Sequence, residues 1–445
     1  MKLFRKTTVC IIVFLMLATY GNSFSIEKNR RMTEELDTLS LLDGAKLEEH
    51  NGLKILYVNG SYYEMGYQHG YLLKDEVNEN IRAFIDHGEK ISSYDYLLDM
   101  WNITEPYIPE CYIQEMHGIA DGADVSFEKL SVVYMIIPFI DLQCFTFAAW
   151  SNATQDEKLC HIRSLDFPLV IDDPDTGKYL QENSVLMIRK PNDGLKSINP
   201  SIAGLINFYQ GINEKQISVG IQVCWSNDQT LKSIPVQFKI LKIMDTAENL
   251  QEAVDILTSN KTLGWNFIIS DGKINQGYVV ETTANYSYVG TWNNSVEGTR
   301  PFWKIENVVR RTNFFVNPTL ASTQRKNYKI SGIKSFMDLF NGEPYFALWR
   351  KYRSMSKEIE KNWGDINVER GISLLRKVYT GRTDFLLFMF LFLGEESILR
   401  DFQQWAVCPD TGEFVFSFAD SEKFSHDSEL HYFNIYDFFF KNLNS

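Results

Sequence analysis

The hydrophobic pattern of the chain changes period at Cys144. Before it, Met65, Leu72, Leu73, Val77, Ile81, Phe84 and Ile85 recur at helical spacing, predicting a helix from Ser61 to about Lys90. Ser61-Tyr-Tyr-Glu64 fits a capping box at its start, so Glu64 reads as a helix cap. Further helical patterns over 105–120 and 126–136 predict an all-helical first segment. After Cys144, short β-rich runs take over at 144–150, 158–164, 184–190, 202–209, 217–225, 265–270 and 277–283. Gly211–Lys215 and Asp271-Gly272-Lys273 read as hairpin connections, and a helix from Pro235 to Thr258 interrupts the strands. Helical patterns return at 333–340, 345–361 and 367–379, and a last hairpin turns through Pro409-Asp-Thr-Gly412. Strands with helix blocks on both sides predict one α+β domain whose sheets are covered by helices.

Composition narrows the function classes. A chain of 445 residues that is 44% hydrophobic has ample material for a large core, which excludes a disordered, collagen-like or coiled-coil protein. Its 44 basic residues are thinly spread against 57 acidic ones, so no nucleic-acid partner is expected. The apolar run Phe385–Leu393 is too short for a bilayer and reads as a buried element; no stable membrane span is expected. The aromatic tail Tyr432–Phe440 reads as a docked terminus.

Residues 1–25 have the order of a secretory signal peptide. Lys2, Arg5 and Lys6 precede the apolar stretch Val9–Leu17, and Gly21-Asn-Ser-Phe-Ser25 follows. A short N-terminal anchor is the other reading. Sequons begin at Asn59, Asn102, Asn152, Asn260, Asn285 and Asn293. A secreted or secretory/lysosomal-lumen glycoprotein is therefore expected. Loss of Cys10 with the leader leaves Cys111, Cys144, Cys160, Cys224 and Cys408, an odd number that implies at least one free thiol.

No H-E-x-x-H, G-x-S-x-G, Walker A or zinc spacing is present, so neither a metal nor a cofactor is expected. One segment carries candidate chemistry: Gln143-Cys144-Phe-Thr146 opens a strand, and the next strand, His161-Ile-Arg163-Ser-Leu-Asp166, ends in Arg-x-x-Asp. On residue chemistry alone, Cys144 also reads as a core cysteine. Arg163 and Asp166 also read as a structural ion pair.

These residues, with others in order along the chain, resemble the peptidase C45 group. This is the acyl-coenzyme A:6-aminopenicillanic acid acyltransferase-like branch of the N-terminal-nucleophile (Ntn) hydrolases. Gly60-Ser-Tyr-Tyr-Glu-Met-Gly66-Tyr-Gln-His69-Gly70 is similar to the family's early helix motif, and Gly211-Ile-Asn213-Glu214 to its Gly-x-Asn-Glu turn. Gly264-Trp265-Asn266 and Val280-Glu281 resemble its central hairpin. Arg311-Thr-Asn313-Phe314 resembles its Thr-Asn element, and Arg350-Lys-Tyr352-Arg353 its Arg-Tyr helix. Gln143 stands where the family has Gly, Phe145 precedes Thr146, and Phe314 stands where His is common.

The resemblance implies an Ntn αββα four-layer sandwich and a precursor that cuts itself between Gln143 and Cys144. An α chain, 26–143 and mainly helical, would then stay with a β chain, 144–445, in the same domain. Cys144 would be the nucleophile, its freed α-amino group the base, and the product an acyl-thioester. By the same resemblance Asp166 orients the amine, Arg163 sets the electrostatics and Asn313 donates to the oxyanion. Asn213 is a substrate-binding candidate, although Asn also suits a turn, and Asn313 could instead cap its loop. The implied substrate is an acylated small molecule with a non-peptide linear amide. An acyltransferase using a thioester donor and a silent Ntn-fold binding protein are the alternatives.

Overall fold

A computed structural model describes residues 38–140, 143–328, 330, 344–380 and 400–440. The leader at 1–25, the helical pattern at 333–340 and the run Phe385–Leu393 lie outside them. Two compact units divide at Ala45. Of the first, residues 38–45 are described and begin with one helical turn. Everything below concerns the second.

Before Cys144 the chain is not all helical. Strands β1 (Lys46–His50) and β2 (Leu53–Gly60) come first, joined by Asn51-Gly52 with φ of +50° and +80°. Asn-Gly is a two-residue turn whose positive φ angles let it match the right-handed twist of the paired strands, and here it outweighs the absence of a clear alternating pattern. Helices α1 (Tyr62–Leu72), α2 (Lys74–Glu89), α3 (Tyr94–Thr104), α4 (Glu110–Ala123) and α5 (Phe127–Ile136) follow. The Ser61–Glu64 capping box is formed. The helix expected over 105–120 is divided because Pro106 and Pro109 cannot lie within a helix interior.

Helices α1 and α4 touch backbone to backbone. A Cβ on Gly66 would lie 1.9 Å from the Glu115 carbonyl oxygen, and one on Gly118 2.2 Å from that of Tyr63. Gly70 and Gly122 make the same approach one turn on, to Ile119 and Tyr67. His69 reaches out of this pair and accepts the Gly204 N–H through Nε2 at 2.9 Å.

Strands β3 (Gln143–Ser151), β4 (Glu157–Phe167), β5 (Ser184–Pro191), β6 (Ser197–Ile202), β7 (Gln210–Asn213) and β8 (Ile217–Val223) come next. The run 202–209 is not a strand: Gly204 and Tyr209, at φ +90° and +67°, turn the chain out of the ladder. Helices α6 (Val236–Thr246) and α7 (Leu250–Thr258) replace the single predicted helix, since Asn249 caps α7 by accepting from Glu252 N–H. Strands β9 (Trp265–Asp271), β10 (Gln276–Thr282), β11 (Ser287–Gly290) and β12 (Val308–Arg311) precede α8 (Pro318–Thr323), α9 (Pro344–Lys361) and α10 (Val368–Tyr379). The chain closes with β13 (Arg400–Cys408), β14 (Glu413–Phe418), β15 (His431–Asn434) and α11 (Ile435–Phe440).

Two sheets result, one of nine strands in the order β1-β2-β5-β6-β7-β8-β9-β10-β11 and one of six, β12-β3-β4-β13-β14-β15. All pairs are antiparallel except β2 with β5. One core cluster joins α1–α7 to the nine-stranded sheet, and another joins α9 and α10 to the six-stranded sheet. Between the sheets, His161 meets Ser218 and Ser270, and Gln222 donates to Thr146. The order is therefore helix, sheet, sheet, helix: the expected αββα sandwich, with an inter-sheet layer rich in hydrogen-bonded polar side chains. β1 and β2 belong to that sheet, so the segment before Cys144 is built into the sandwich.

Candidate functional site

Cys144 is the second residue of β3 and pairs opposite Leu165, while Gln143 pairs opposite Asp166. It is 2% exposed. The Cys144 N–H donates to Asn313 Oδ1 at 2.7 Å, and Asn313 Nδ2 donates to the Val223 carbonyl at 2.9 Å. Arg163 lies on the same face of β4 as Leu165, because alternate residues of a strand share a face. Its Nη2 sits 3.8 Å from Cys144 Sγ and donates to the Ile221 carbonyl at 3.0 Å.

A glycine makes room for this arginine. A Cβ on Gly220 would stand 2.6 Å from Arg163 Cδ. Gln210 fixes the other end, accepting from Arg163 Nη1 and, at 2.7 Å, from Trp405 Nε1. Its own amide donates to Gln403 Oε1 at 2.8 Å.

Asp166, three residues beyond Arg163, points to the opposite face of β4. The two do not pair. Lys351 Nζ donates to Asp166 Oδ2 at 2.7 Å, and the Tyr379 hydroxyl donates to Oδ1. Lys351 and Tyr379 come from α9 and α10, the helices covering that face. The side chain bonded to the Cys144 nitrogen is thus Asn313, and the Asp166 carboxylate is bonded on the far face.

Further buried charges lie behind it. Asp401 is the cross-strand partner of Asp166, and His426 Nδ1 is hydrogen-bonded to Asp401 while its ring stacks on Tyr379 at 5.3 Å. Burial pushes Asp401 up to about 6, with His426 opposing. Burial lowers His426, but the Asp401 hydrogen bond and charge outweigh it and the ring is raised overall.

Burial also pushes the Cys144 thiol up to about 11, although Arg163 pulls against it. Asp166 is raised by burial, opposed first by Lys351. Arg163 is lowered by burial, opposed first by Cys144.

The loop carrying Asn313 is held from several sides. Arg311 pairs with Glu281 at 2.8 Å and with Glu297 at 2.6 Å, all three buried. Glu281 also accepts the N–H groups of Val316 and Asn317, each at 3.0 Å. Asn266 Nδ2 bridges the carbonyls of Thr312 and Phe314 at 2.8 and 2.7 Å. Asn266 and Glu281, both noticed in the sequence, thereby brace the loop that delivers Asn313.

Asn213 stands apart from this group. Its Oδ1 accepts from Lys215 and Ile217 N–H at 3.1 Å, and its Nδ2 donates to the carbonyls of Ile243 and Ala247 at 3.3 and 2.8 Å. The amide is spent on the β7–β8 turn and the end of α6. Lys351, Tyr379 and Gln210 were missed as site residues. Lys351 lay within the noticed Arg350–Arg353 motif and Tyr379 at the end of a predicted helix, but neither position signals a partner across the sheet.

A cavity of about 250 Å³ is lined by Met135, Phe139, Trp225, Gln237, Trp265 and Arg325, among others. Trp265 is the cross-strand partner of Val223, whose carbonyl holds Asn313. Among the described residues, no three His, Cys, Asp or Glu side chains are grouped to hold a metal ion, and no helix is long and apolar enough to cross a membrane.

No family model matches the chain. It is 25% identical over 372 residues to an uncharacterized protein of Archaeoglobus fulgidus, covering 73% of this chain and 58% of that one. With Protein dcd1A of Dictyostelium discoideum it shares 25% identity over 271 residues, 53% of this chain and 60% of that one. The chain spans less than two thirds of the length of these curated relatives. Among solved structures, a Caenorhabditis elegans ortholog of N-acylethanolamine-hydrolyzing acid amidase matches with a TM-score of 0.39 and 15% identity, covering 64% of this chain and 98% of that one. A variant conjugated bile acid hydrolase from Clostridium perfringens matches at 0.37 and 12% identity, covering 68% and 94%. Penicillin V acylase from Agrobacterium tumefaciens matches at 0.32 and 11%, covering 66% and 91%.

Proposed function

We propose that the chain is the precursor of a cysteine Ntn amidohydrolase that cuts itself before Cys144 and then hydrolyses a non-peptide linear amide. The observation that carries this reading is the meeting of Cys144, Arg163 and Asn313 in one buried patch at the start of β3. Asp166 lies on the facing strand of that patch.

In the proposed cut, the Cys144 sulfur attacks the Gln143 carbonyl carbon and the Gln143–Cys144 C–N bond breaks. A thioester forms and the α-amino group of Cys144 is freed. Water then hydrolyses the thioester, leaving a carboxylate on Gln143 and restoring the thiol. The new amine, with a reference pKa of about 7.7–8.0, can accept the thiol proton near neutrality. Attack on a substrate amide then gives an acyl-thioester and releases the amine portion. Water completes the turnover. Asn313 is positioned at the Cys144 nitrogen and Arg163 at the sulfur, so the developing charges arise beside groups already held in place.

The burial of Cys144, with its thiol raised to about 11, favours a second reading while the bond is intact: a silent Ntn-fold protein. Intact-mass analysis of the purified protein separates the two. Fragments split before Cys144, absent in Cys144→Ala, support the hydrolase. A single chain that stays whole and does not react with thiol probes under native conditions overturns it.

A further inference from the structure

β4 and β13 run antiparallel, with Ala406 opposite Ile162 and Val407 opposite His161. Continuing that register by one residue, still within both strands, sets Cys408 opposite Cys160. Both are free thiols, and both are buried at 1–2% exposure in the same apolar cluster. Each side chain is the leading influence on the other's thiol. Directly opposed residues of an antiparallel pair have Cα atoms about 4.5 or 5.5 Å apart, and both values fall inside the span of about 4.4–6.8 Å that disulfides bridge. From this juxtaposition we propose that Cys160 and Cys408 form a cross-strand disulfide that covalently joins β4 to β13.

The chemistry needs a two-electron oxidant, and a small-molecule disulfide such as oxidised glutathione supplies it. One thiolate attacks glutathione disulfide, forms a mixed disulfide and releases one glutathione thiol. The second cysteine displaces the other glutathione, so two protein thiols become one disulfide and two glutathione thiols form. Cys408 is the residue placed to attack first. Its thiol is drawn down to about 7 by the Cys160 hydrogen bond, against the effect of burial, so much of it is thiolate near neutrality. Burial of the pair means that closure belongs to the folding chain, after β4 and β13 have paired and before the rest of the cluster covers them.

The bond would lie at one end of the β4–β13 ladder, with the Asp166–Asp401 rung near the other. It would tie the strand carrying Arg163 and Asp166 to its neighbour independently of any cut at Cys144.

The test is a non-reducing peptide map of the full chain, produced through an oxidising secretory pathway and alkylated in denaturant. The expected result is one linked peptide pair holding Cys160 and Cys408, about 2 Da lighter than the sum of its reduced halves. Cys408 should become alkylatable in Cys160→Ser, and reduction should lower the melting temperature of the wild type by several degrees. Full alkylation of both cysteines in the wild-type protein, or a linkage of either to Cys111 or Cys224, overturns the proposal. If Cys160→Ser fails to accumulate, the wild-type map alone decides.

Discussion

Asn313 takes the backbone N–H of Cys144 on its oxygen and gives its own N–H to the Val223 carbonyl, so one amide ties β3 to the facing sheet. Aspartate would keep the acceptor and lose the donor; alanine would lose both. If the proposed activity is correct, Asn313→Ala should slow both self-cleavage and amide hydrolysis by about 10²–10³-fold, the usual cost of removing an oxyanion-hole donor. Asn313→Asp, which also lacks the donor and adds a negative charge, should be slowed at least as much as Asn313→Ala. Fragment formation by gel over time and turnover of the cut enzyme read the two effects separately, and equal rates for all three proteins would remove Asn313 from the mechanism.

The Lys351–Asp166 pair makes a stability prediction that does not depend on activity. Both side chains are buried, and Lys351→Met leaves the Asp166 carboxylate without its cation. Breaking a buried pair from one side costs about 3–5 kcal/mol. Denaturant unfolding should show a loss of that size for Lys351→Met and a smaller one for Lys351→Met combined with Asp166→Asn, in which the remaining group carries no charge. If the double variant is as destabilised as the single, the pair is not what holds this face of β4.

Gly220→Ala tests the fit of Arg163. The new methyl would lie 2.6 Å from Cδ, so the guanidinium must move away from Cys144 and from the Ile221 carbonyl. The expected outcome is a folded protein with cleavage reduced at least tenfold. Unaltered cleavage would show that the Arg163 position is not needed.

Asp401 and His426 give the pH dependence its sign. Asp401 is raised to about 6 in the fold from an unfolded value near 3.9, so the folded state holds more protons between those limits. His426 is also raised in the fold. Both contributions are fully present below the unfolded values and lost as pH rises through the folded ones, so stability should fall from about pH 4 to pH 6 with Asp401 and further above the ordinary histidine range with His426. Thermal melts across that range check the slope, and Asp401→Asn should flatten it. A wild-type melting temperature that rises over the same range would contradict the assignment.

Gly66→Ala and Gly118→Ala should each destabilise the fold by about 3 kcal/mol or more, because the added carbon strikes backbone rather than a movable side chain. Thermal melts of either variant should show the loss; a change under about 0.5 kcal/mol would mean that α1 and α4 can separate freely.

Legibility of the fold in the sequence followed the range of the forces involved. The capping box at Ser61, the helices ending at Lys361 and Tyr379, and most strands after Cys144 are local patterns and could be read directly. Boundaries were lost where one residue overrides a pattern, as at Pro106, Pro109 and Tyr209. The β1–β2 hairpin was missed although Asn51-Gly52 carried its signal, because its strands are short and one is an edge. Within the site, Cys144, Arg163 and Asn313 were legible through motif order. The partners of Asp166 were not: which helix covers a strand face is decided by packing between segments about 185 and 213 residues apart. Asn213 was legible as a turn residue, and the turn is where its amide is spent.

The parallel pairing of β2 with β5 and the docking of Lys351, Tyr379 and β13 around β4 bear on how the chain is made. A ribosome delivers Cys144 long before it delivers β5, and all of these before the lysine, tyrosine and last strands that complete the surroundings of β4. A nascent chain stalled before residue 351 would hold Cys144 and β4 without the side chains that cover Asp166. The order of synthesis therefore acts as a clock: β4 gains these surroundings only after Lys351, Tyr379 and β13 have left the exit tunnel.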